Sequence, residues 1–400
     1  MNLLIKNVRI VDSQKDFIGD VYVKQGVIDE IGQGIEKDSN IIDGKGLVLM
    51  PSFVDMHSHF RDPGLTHKED IKSGSLAAVC GGYTAVNLMA NTKPVCSDMD
   101  MVNYVLKKAE DIALVDVHQC VSVTKGMKGE DVNHLKYIEK PVKFISEDGK
   151  GILKDEVMLM AMSIARDKGF TVISHAEHEE YVKWDSRLSE NYMTMRDIET
   201  AKKTGCSLHI AHVSTREAMM MVKNAKKEGF NITCEVTPHH IALSSNTMYK
   251  VNPPLRLMDD INFLIDSIKE GYVDAIATDH APHSFEDKLN GAPGISGIET
   301  AFSVCYTTLV RNGHITLNTL SKLMSEKPSK MMGLNKGKIE KGYDGDLVLV
   351  DIDKKFKVDA VKFKSKGKNT PFDGMEFYGV IAMTIKGGKV VFRSDYYDNR

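Results

Sequence analysis

The sequence predicts an α/β protein: a (β/α)8 TIM barrel carrying a small β-sandwich built from both ends of the chain. Three observations predict it. From about residue 50, eight short β-branched or apolar runs alternate with longer amphipathic stretches over roughly 280 residues, the proportion of a closed barrel. No glycine-rich dinucleotide fingerprint follows any of these runs, which disfavours an open doubly wound sheet. The two ends instead show short alternating strands with turn glycines, and neither could bury a core alone.

Taken in order, Leu3 to Ile10 and Gly19 to Ile28 read as strands of the sandwich, completed from the other end by Asp346 to Asp351 and Gly379 to Phe392. The sandwich takes residues 1–48 and 338–400, and the barrel residues 49–337. The barrel strands fall at Leu47 to His57, Tyr83 to Met89, Val115 to Val123, Val142 to Ser146, Phe170 to His175, Ser207 to His212, Asn231 to Val236 and Ala275 to Asp279. Helical patterns lie between them. Ser214-Thr215-Arg216-Glu217 reads as a capping box, its helix ends at Gly229, and others close at Gly169, Gly271 and Gly313. The lysine-rich piece Lys362 to Lys368 reads as a solvated loop.

Composition excludes several function classes. Four hundred residues with 42% hydrophobic content can bury a large core, and a net charge of −3 leaves no basic stripe for nucleic acid. Six cysteines without a CxxC pair read as reduced core thiols. Met1 to Ile5 is too short for a signal peptide, and no run of apolar residues is long enough to span a membrane, so a cytoplasmic protein is expected.

A barrel places its chemistry where strands end and loops begin. Strand one ends in His57 and His59, whose spacing puts both imidazoles on one face, with Arg61 offering a carboxylate fork two positions on. Strand four ends in Glu147-Asp148-Gly149, strand five in His175, strand six in His212, and strand eight in Asp279-His280-Ala281-Pro282-His283. Four imidazoles and two carboxylates thus ring one mouth, a ligand set suited to zinc, and a bridging carboxylate would let two ions share a hydroxide. Singly, His175 reads as a hydrogen-bonded core histidine; convergence of the ensemble outweighs that reading. His178 is expected to face solvent, and His209 sits inside its strand with a parity different from His212, so both are left out. His239-His240 could line the mouth or cap the next segment, while His67, His118, His134 and His314 have no partner in the pattern.

These residues fall in motifs that resemble a known family. They are His57-Ser58-His59-Phe60-Arg61-Asp62-Pro63-Gly64, Met89-Ala90-Asn91-Thr92, Val213-Ser214-Thr215, Thr237-Pro238-His239-His240, Asn252-Pro253-Pro254-Leu255-Arg256, Ala277-Thr278-Asp279-His280-Ala281-Pro282-His283 and Gly367-Lys368-Asn369-Thr370-Pro371-Phe372. Together they resemble the amidohydrolase superfamily and, within it, the bacterial type I dihydroorotases. The resemblance implies two zinc ions per chain: His57, His59 and Asp279 on one, His175 and His212 on the other, and Asp148 bridging. A carboxylated Lys143, as in other members of the superfamily, is the alternative bridge. His59, Arg61, Asn91, Asn252, His283, Pro293 and Gly294 are implied on the substrate side. The implied reaction is the reversible cyclisation of N-carbamoyl-L-aspartate to L-dihydroorotate in pyrimidine biosynthesis, with Asp279 as general acid/base. The implied partners are the small-molecule substrate, a second copy of the chain in a homodimer, and an aspartate transcarbamoylase.

Two departures from the family pattern stand out. The interval from His175 to His212 looks trimmed of loop and helix, and Gly291-Ala292-Pro293-Gly294-Ile295 lacks an aromatic after the proline, so its backbone donors are expected to persist without that packing. Two rival readings remain: a hydantoinase or allantoinase, whose cyclic ureides lack the free carboxylate that Arg61 would hold, and an inactive scaffold, which would not keep a complete ligand set.

Overall fold

The structure, a computed structural model, describes residues 2–397. Met1 and residues 398–400, the outermost parts of the two terminal segments, lie outside the described residues.

The N-terminal strands β1 (Asn2–Val11), β2 (Asp16–Lys24), β3 (Val27–Gly32), β4 (Asn40–Asp43) and β5 (Val48–Pro51) share one sheet with the C-terminal strands. The turn between β2 and β3 is made by Gln25 and Gly26, both at positive φ, which matches the twist of a tight hairpin. Eight parallel strands follow: β6 (Phe53–Ser58), β7 (Tyr83–Leu88), β8 (Asp116–Gln119), β9 (Phe144–Ser146), β10 (Thr171–Ser174), β11 (Ser207–Ile210), β12 (Ile232–Val236) and β13 (Ala275–Ile276). Single parallel bridges, Val121 with Ile145 and Ser58 with His280, join β8 to β9 and β13 back to β6, closing the barrel. The chain then returns to the terminal sheet through β14 (Leu347–Lys357), β15 (Glu376–Lys386) and β16 (Lys389–Arg393), in the order β16-β15-β14-β5-β1-β2-β3, with β4 beside β1.

Every residue of β6 and β7 is buried, as parallel strands covered on both faces require. The barrel core is continuous, and a second cluster including Ile5, Val21, Leu49, Leu347 and Ile385 fills the sandwich-like terminal unit. No helix among the described residues is long and apolar enough to cross a membrane.

Four local expectations are corrected. The single strand expected over Leu47 to His57 is two, because Ser52 N donates to Asp346 O in the terminal unit while Phe53 N donates to Gly82 O at the foot of β7. The helix Arg216–Lys227 is capped by Thr215 rather than Ser214, its hydroxyl accepting from Ala218 N, so the third helical residue is Ala218 and no capping box forms; Glu217 pairs with Arg187 at 2.5 Å. No full helix follows β8, only the short turns Lys125–Met127 and Asn133–Tyr137, where Gly126 and Gly129 at positive φ interrupt helical geometry. The interval after His175, expected to be trimmed, holds a 19-residue helix, Ser186–Thr204.

Candidate active site

At the carboxyl ends of the barrel strands the backbone turns sharply, and three site residues take the left-handed conformation that side chains seldom adopt: Arg61 (φ 58°), His212 (φ 33°) and Asp279 (φ 44°). Such strain persists only where surrounding contacts enforce it, and here it swings side chains from the strand ends into one cavity. That cavity measures about 190 Å³ and is lined by His59, Arg61, Asn91, Asp148, His175, His212, Asn252, Asp279, His283, Pro293 and Gly294, with His57 buried behind them. The structure therefore brings together every site residue singled out from sequence. Lys143 is elsewhere: its ammonium donates to Met332 O at 2.6 Å. Glu147 is turned away to Thr124, accepting from its backbone nitrogen and hydroxyl.

The ligating atoms of His57, Asp148 and His212 lie within 4.8 Å of one another, as do those of His57, His59 and Asp279. His175 Nδ1 is 2.8 Å from His212 Nε2 and 3.4 Å from Asp148 Oδ1. The proton inventory tests whether these residues fit a cation. His57 Nδ1 donates to Glu235 Oε1 at 2.7 Å, so a neutral ring presents a lone pair at Nε2. That buried Nε2 has no hydrogen-bond partner, yet it lies 3.2 Å from Asp148 Oδ1 and 3.5 Å from Asp279 Oδ1. His59 repeats the pattern, with Nδ1 donating to Asn91 Oδ1 at 2.9 Å and Nε2 3.1 Å from Asp279 Oδ1. Lone pairs facing carboxylate oxygens in a buried site are repulsive unless positive charge sits among them. Electrostatics show the same demand for positive charge: burial alone would lower the His57 pKa, but Asp148, Glu235 and Asp279 hold it well above the ordinary value, so without a cation among these carboxylates the ring itself takes up the proton. Burial, with His175 and His57 nearby, pushes His212 down to about 4, so its ring is neutral. The donor set fits metal ions.

On the opposite wall, the Arg61 guanidinium forms no ion pair among the described residues, and its Nε is buried without a partner. One terminal nitrogen is 3.5 Å from His283 Nε2, and Lys68 Nζ is 3.5 Å from His283 Nδ1. Burial and these cations push His283 down to about 3, so it is neutral beside Arg61. Both asparagines border the ligand cluster: Asn91 Nδ2 donates to Asp148 Oδ2 at 3.1 Å, and Asn252 Nδ2 lies 3.5 Å from His175 Nε2 while donating to Glu177 Oε2 at 2.5 Å. Gly294 N, expected to offer a free donor, is spent on Lys250 O at 3.2 Å.

Sequence reasoning missed Glu235; His209, left out of the ligand set, was not expected to support it. Glu235 is fully buried in β12; besides His57, it accepts from His209 Nε2 at 3.0 Å. The available signal was a carboxylate in the middle of an apolar strand, which folds only when partnered. His240 is a packing residue, donating through Nε2 to Pro253 O at 2.9 Å, and His239 is buried with Nε2 unpartnered.

Comparison with known proteins agrees with this geometry. The sequence profile of the amidohydrolase family matches residues 48–391. A dihydroorotase of Clostridium botulinum is 53% identical over 98% of this chain and 100% of its own length. A dihydroorotase of Acetivibrio thermocellus is 38% identical over 98% of this chain and 99% of its own. Among solved structures, an L-hydantoinase (dihydropyrimidinase) from Arthrobacter aurescens superposes with a TM-score of 0.91 at 27% identity, covering 98% of this chain and 96% of that one. Profile, relatives and fold converge: the chain belongs to the amidohydrolase family and, within it, to the dihydroorotases.

Proposed function

We propose that the chain catalyses the reversible cyclisation of N-carbamoyl-L-aspartate to L-dihydroorotate with loss of water, a step of pyrimidine biosynthesis. The observation that carries this reading is Arg61, a cation in the cavity wall that forms no direct ion pair with a carboxylate among the described residues. Dihydroorotate supplies that carboxylate, and a guanidinium holds it through two parallel hydrogen bonds. Hydantoin, dihydrouracil and allantoin lack it.

We assign the metal as zinc, two ions per chain, held by His57, His59 and Asp279 and by His175 and His212, with Asp148 between them. Imidazole and carboxylate donors suit zinc, and Asp148 is favoured as the bridge over Lys143, whose ammonium is bonded to Met332 O and does not line the cavity. When bound, such ions supply Lewis acidity at the ring carbonyl and a water of lowered pKa. The remaining steps fall to side chains. Arg61 fixes the substrate carboxylate, neutral His283 packs beside it, and Pro293 and Gly294 close the wall. The substrate is then held with its ring amide toward Asp279. Asp279, kept ionised by His57 and His59 against its burial, accepts the proton lost by the attacking water and passes it to the departing ring nitrogen. In the biosynthetic direction Asp279 takes the proton from the carbamoyl nitrogen as that nitrogen bonds to the side-chain carboxylate and water leaves. Ring closure consumes one carboxylate charge and one proton, so low pH favours it.

The same proposal includes a homodimer, association with an aspartate transcarbamoylase, and a cytoplasmic setting, the last supported by six unpaired cysteines. The test is metal content on purified protein together with turnover of dihydroorotate, hydantoin, dihydrouracil and allantoin. Two zinc ions and preference for dihydroorotate are expected. Preference for an uncharged ring would make the chain a hydantoinase-type enzyme, and metal-free, inactive protein would make it a scaffold.

A further inference from the structure

The stretch between β14 and β15 leaves the terminal sheet and crosses to the mouth of the barrel. It arrives fixed: Glu299 accepts from Lys364 N at 2.9 Å and Ser365 N at 3.0 Å, and Glu69 accepts from the Ser365 hydroxyl. Asn369 follows. Its side-chain oxygen accepts from His283 N at 2.9 Å and Ser296 Oγ at 2.8 Å, and its amide nitrogen donates to Ala281 O at 3.2 Å and Gly294 O at 3.0 Å. Both lone pairs and both protons of the amide are therefore used. A fifth bond runs from Ser296 N to Asn369 O at 2.8 Å. The two loops so tied carry His283 and the Pro293–Gly294 wall. Contact is close: a Cβ on Gly367 would lie 2.6 Å from both Pro282 Cβ and Ser296 Oγ.

We infer that Asn369 is a positioning residue for substrate, setting the spacing between His283 and the Pro293–Gly294 wall opposite Arg61 from a segment that belongs to the other unit of the fold. The inference rests on the reading that this wall meets dihydroorotate. Asn369 does not touch the His/Asp cluster, so its loss should act on substrate binding and leave metal binding intact.

The experiment compares Asn369→Ala, Asn369→Asp, Gly367→Ala and Ser296→Ala with wild type for KM, kcat and zinc content. In Asn369→Asp an oxygen replaces the donor that faces two carbonyl oxygens, so the isosteric change should act like Asn369→Ala. KM for dihydroorotate should rise about tenfold or more in Asn369→Ala, Asn369→Asp and Gly367→Ala, with kcat within about threefold and two zinc ions retained. Ser296→Ala, which removes one bond and fills no space, should shift KM in the same direction by less, and it remains readable should Asn369→Ala fail to fold. An unchanged KM in Asn369→Asp and Ser296→Ala, or a fall in kcat and zinc content without a KM change, overturns the inference. Wild-type protein that does not turn over dihydroorotate overturns the functional reading instead, and is recognised before any variant is made.

Discussion

Glu235 makes a sharp test of how the cluster is assembled, because it reaches the proposed metal only through His57. Its carboxylate is fully buried, 2.7 Å from His57 Nδ1 and 3.0 Å from His209 Nε2. Burial alone would raise its pKa, yet the two imidazoles hold it at about 2, so it is ionised throughout the working range. Glu235→Leu strips the acceptor from two buried imidazoles, a loss of about 1–3 kcal/mol of folding stability for each. It also frees the His57 proton to move to Nε2, the atom that faces Asp148 and Asp279. Removing such an orienting carboxylate typically costs about 10–100-fold in metal affinity, equivalent to about 1.4–2.7 kcal/mol. Glu235→Gln is milder. Its oxygen can keep the His57 bond while its amide faces His209, whose proton relocates to Nδ1 opposite the Thr233 hydroxyl at 2.8 Å. The expected order of zinc affinity is therefore wild type, then Gln lower by about tenfold, then Leu lower by about a hundredfold. Competition against a chelator of known affinity reads it, with denaturant unfolding alongside. A Leu variant that holds two ions with wild-type affinity refutes the reasoning, as does a Gln variant weaker than Leu.

Arg61→Met should raise KM for dihydroorotate by about a hundredfold or more, since two charge-assisted bonds of about 1.5–3 kcal/mol each are lost, and any residual hydantoin turnover should be untouched; equal losses on both substrates would refute the assignment. Asp279→Asn keeps an oxygen ligand but cannot take a proton, so kcat should fall by about 10²–10⁴-fold while elemental analysis still finds metal. Lys143→Met should leave zinc content and kcat unchanged, and loss of an ion would restore the carboxylated-lysine bridge. Glu299 gives a pH-dependent stability: burial raises it from 4.5 to about 7, so between those values the folded chain holds a proton that the unfolded chain releases. Its contribution is whole below pH 4.5 and declines as pH rises through 7, by on the order of 3 kcal/mol. The wild-type minus Glu299→Gln difference in unfolding free energy should fall from pH 5 to 8 and then level off; a flat difference would refute it.

The barrel was legible because parallel strands covered on both faces leave continuous apolar runs, each followed by a polar residue where the strand meets its loop. Pairing partners were not. Leu47 to His57 reads as one strand because both halves are buried, and hydropathy carries no information about which sheet a buried strand joins. Only the structure shows adjacent residues, Ser52 and Phe53, bonding to different units. The missing capping box has a similar origin: Glu217 is spaced correctly only if Ser214 is the cap, but the Ser214 hydroxyl is drawn to Glu190 on the preceding helix and the cap falls one residue later, at Thr215.

The site was legible to the extent that its residues sit at strand ends, and illegible where strand alternation was carried past them. His209 was set aside for having a different parity from His212, but β11 stops at Ile210 and His212 sits at φ 33°, where alternation no longer holds. His209 is the residue in register, facing inward to Glu235, while His212 reaches the cavity by breaking the pattern. The substrate wall shows a second kind of limit. That an arginine follows two histidines is visible in the sequence; that no carboxylate among the described residues pairs with it is not. Arg61 becomes evidence for an anionic substrate only once Asp148 and Asp279 are seen facing imidazole lone pairs, a cluster that calls for cations of its own. Asp148 and Asp279 are near enough to act on the guanidinium through space, yet among the described residues no carboxylate pairs with it directly, and a substrate carboxylate would make that contact.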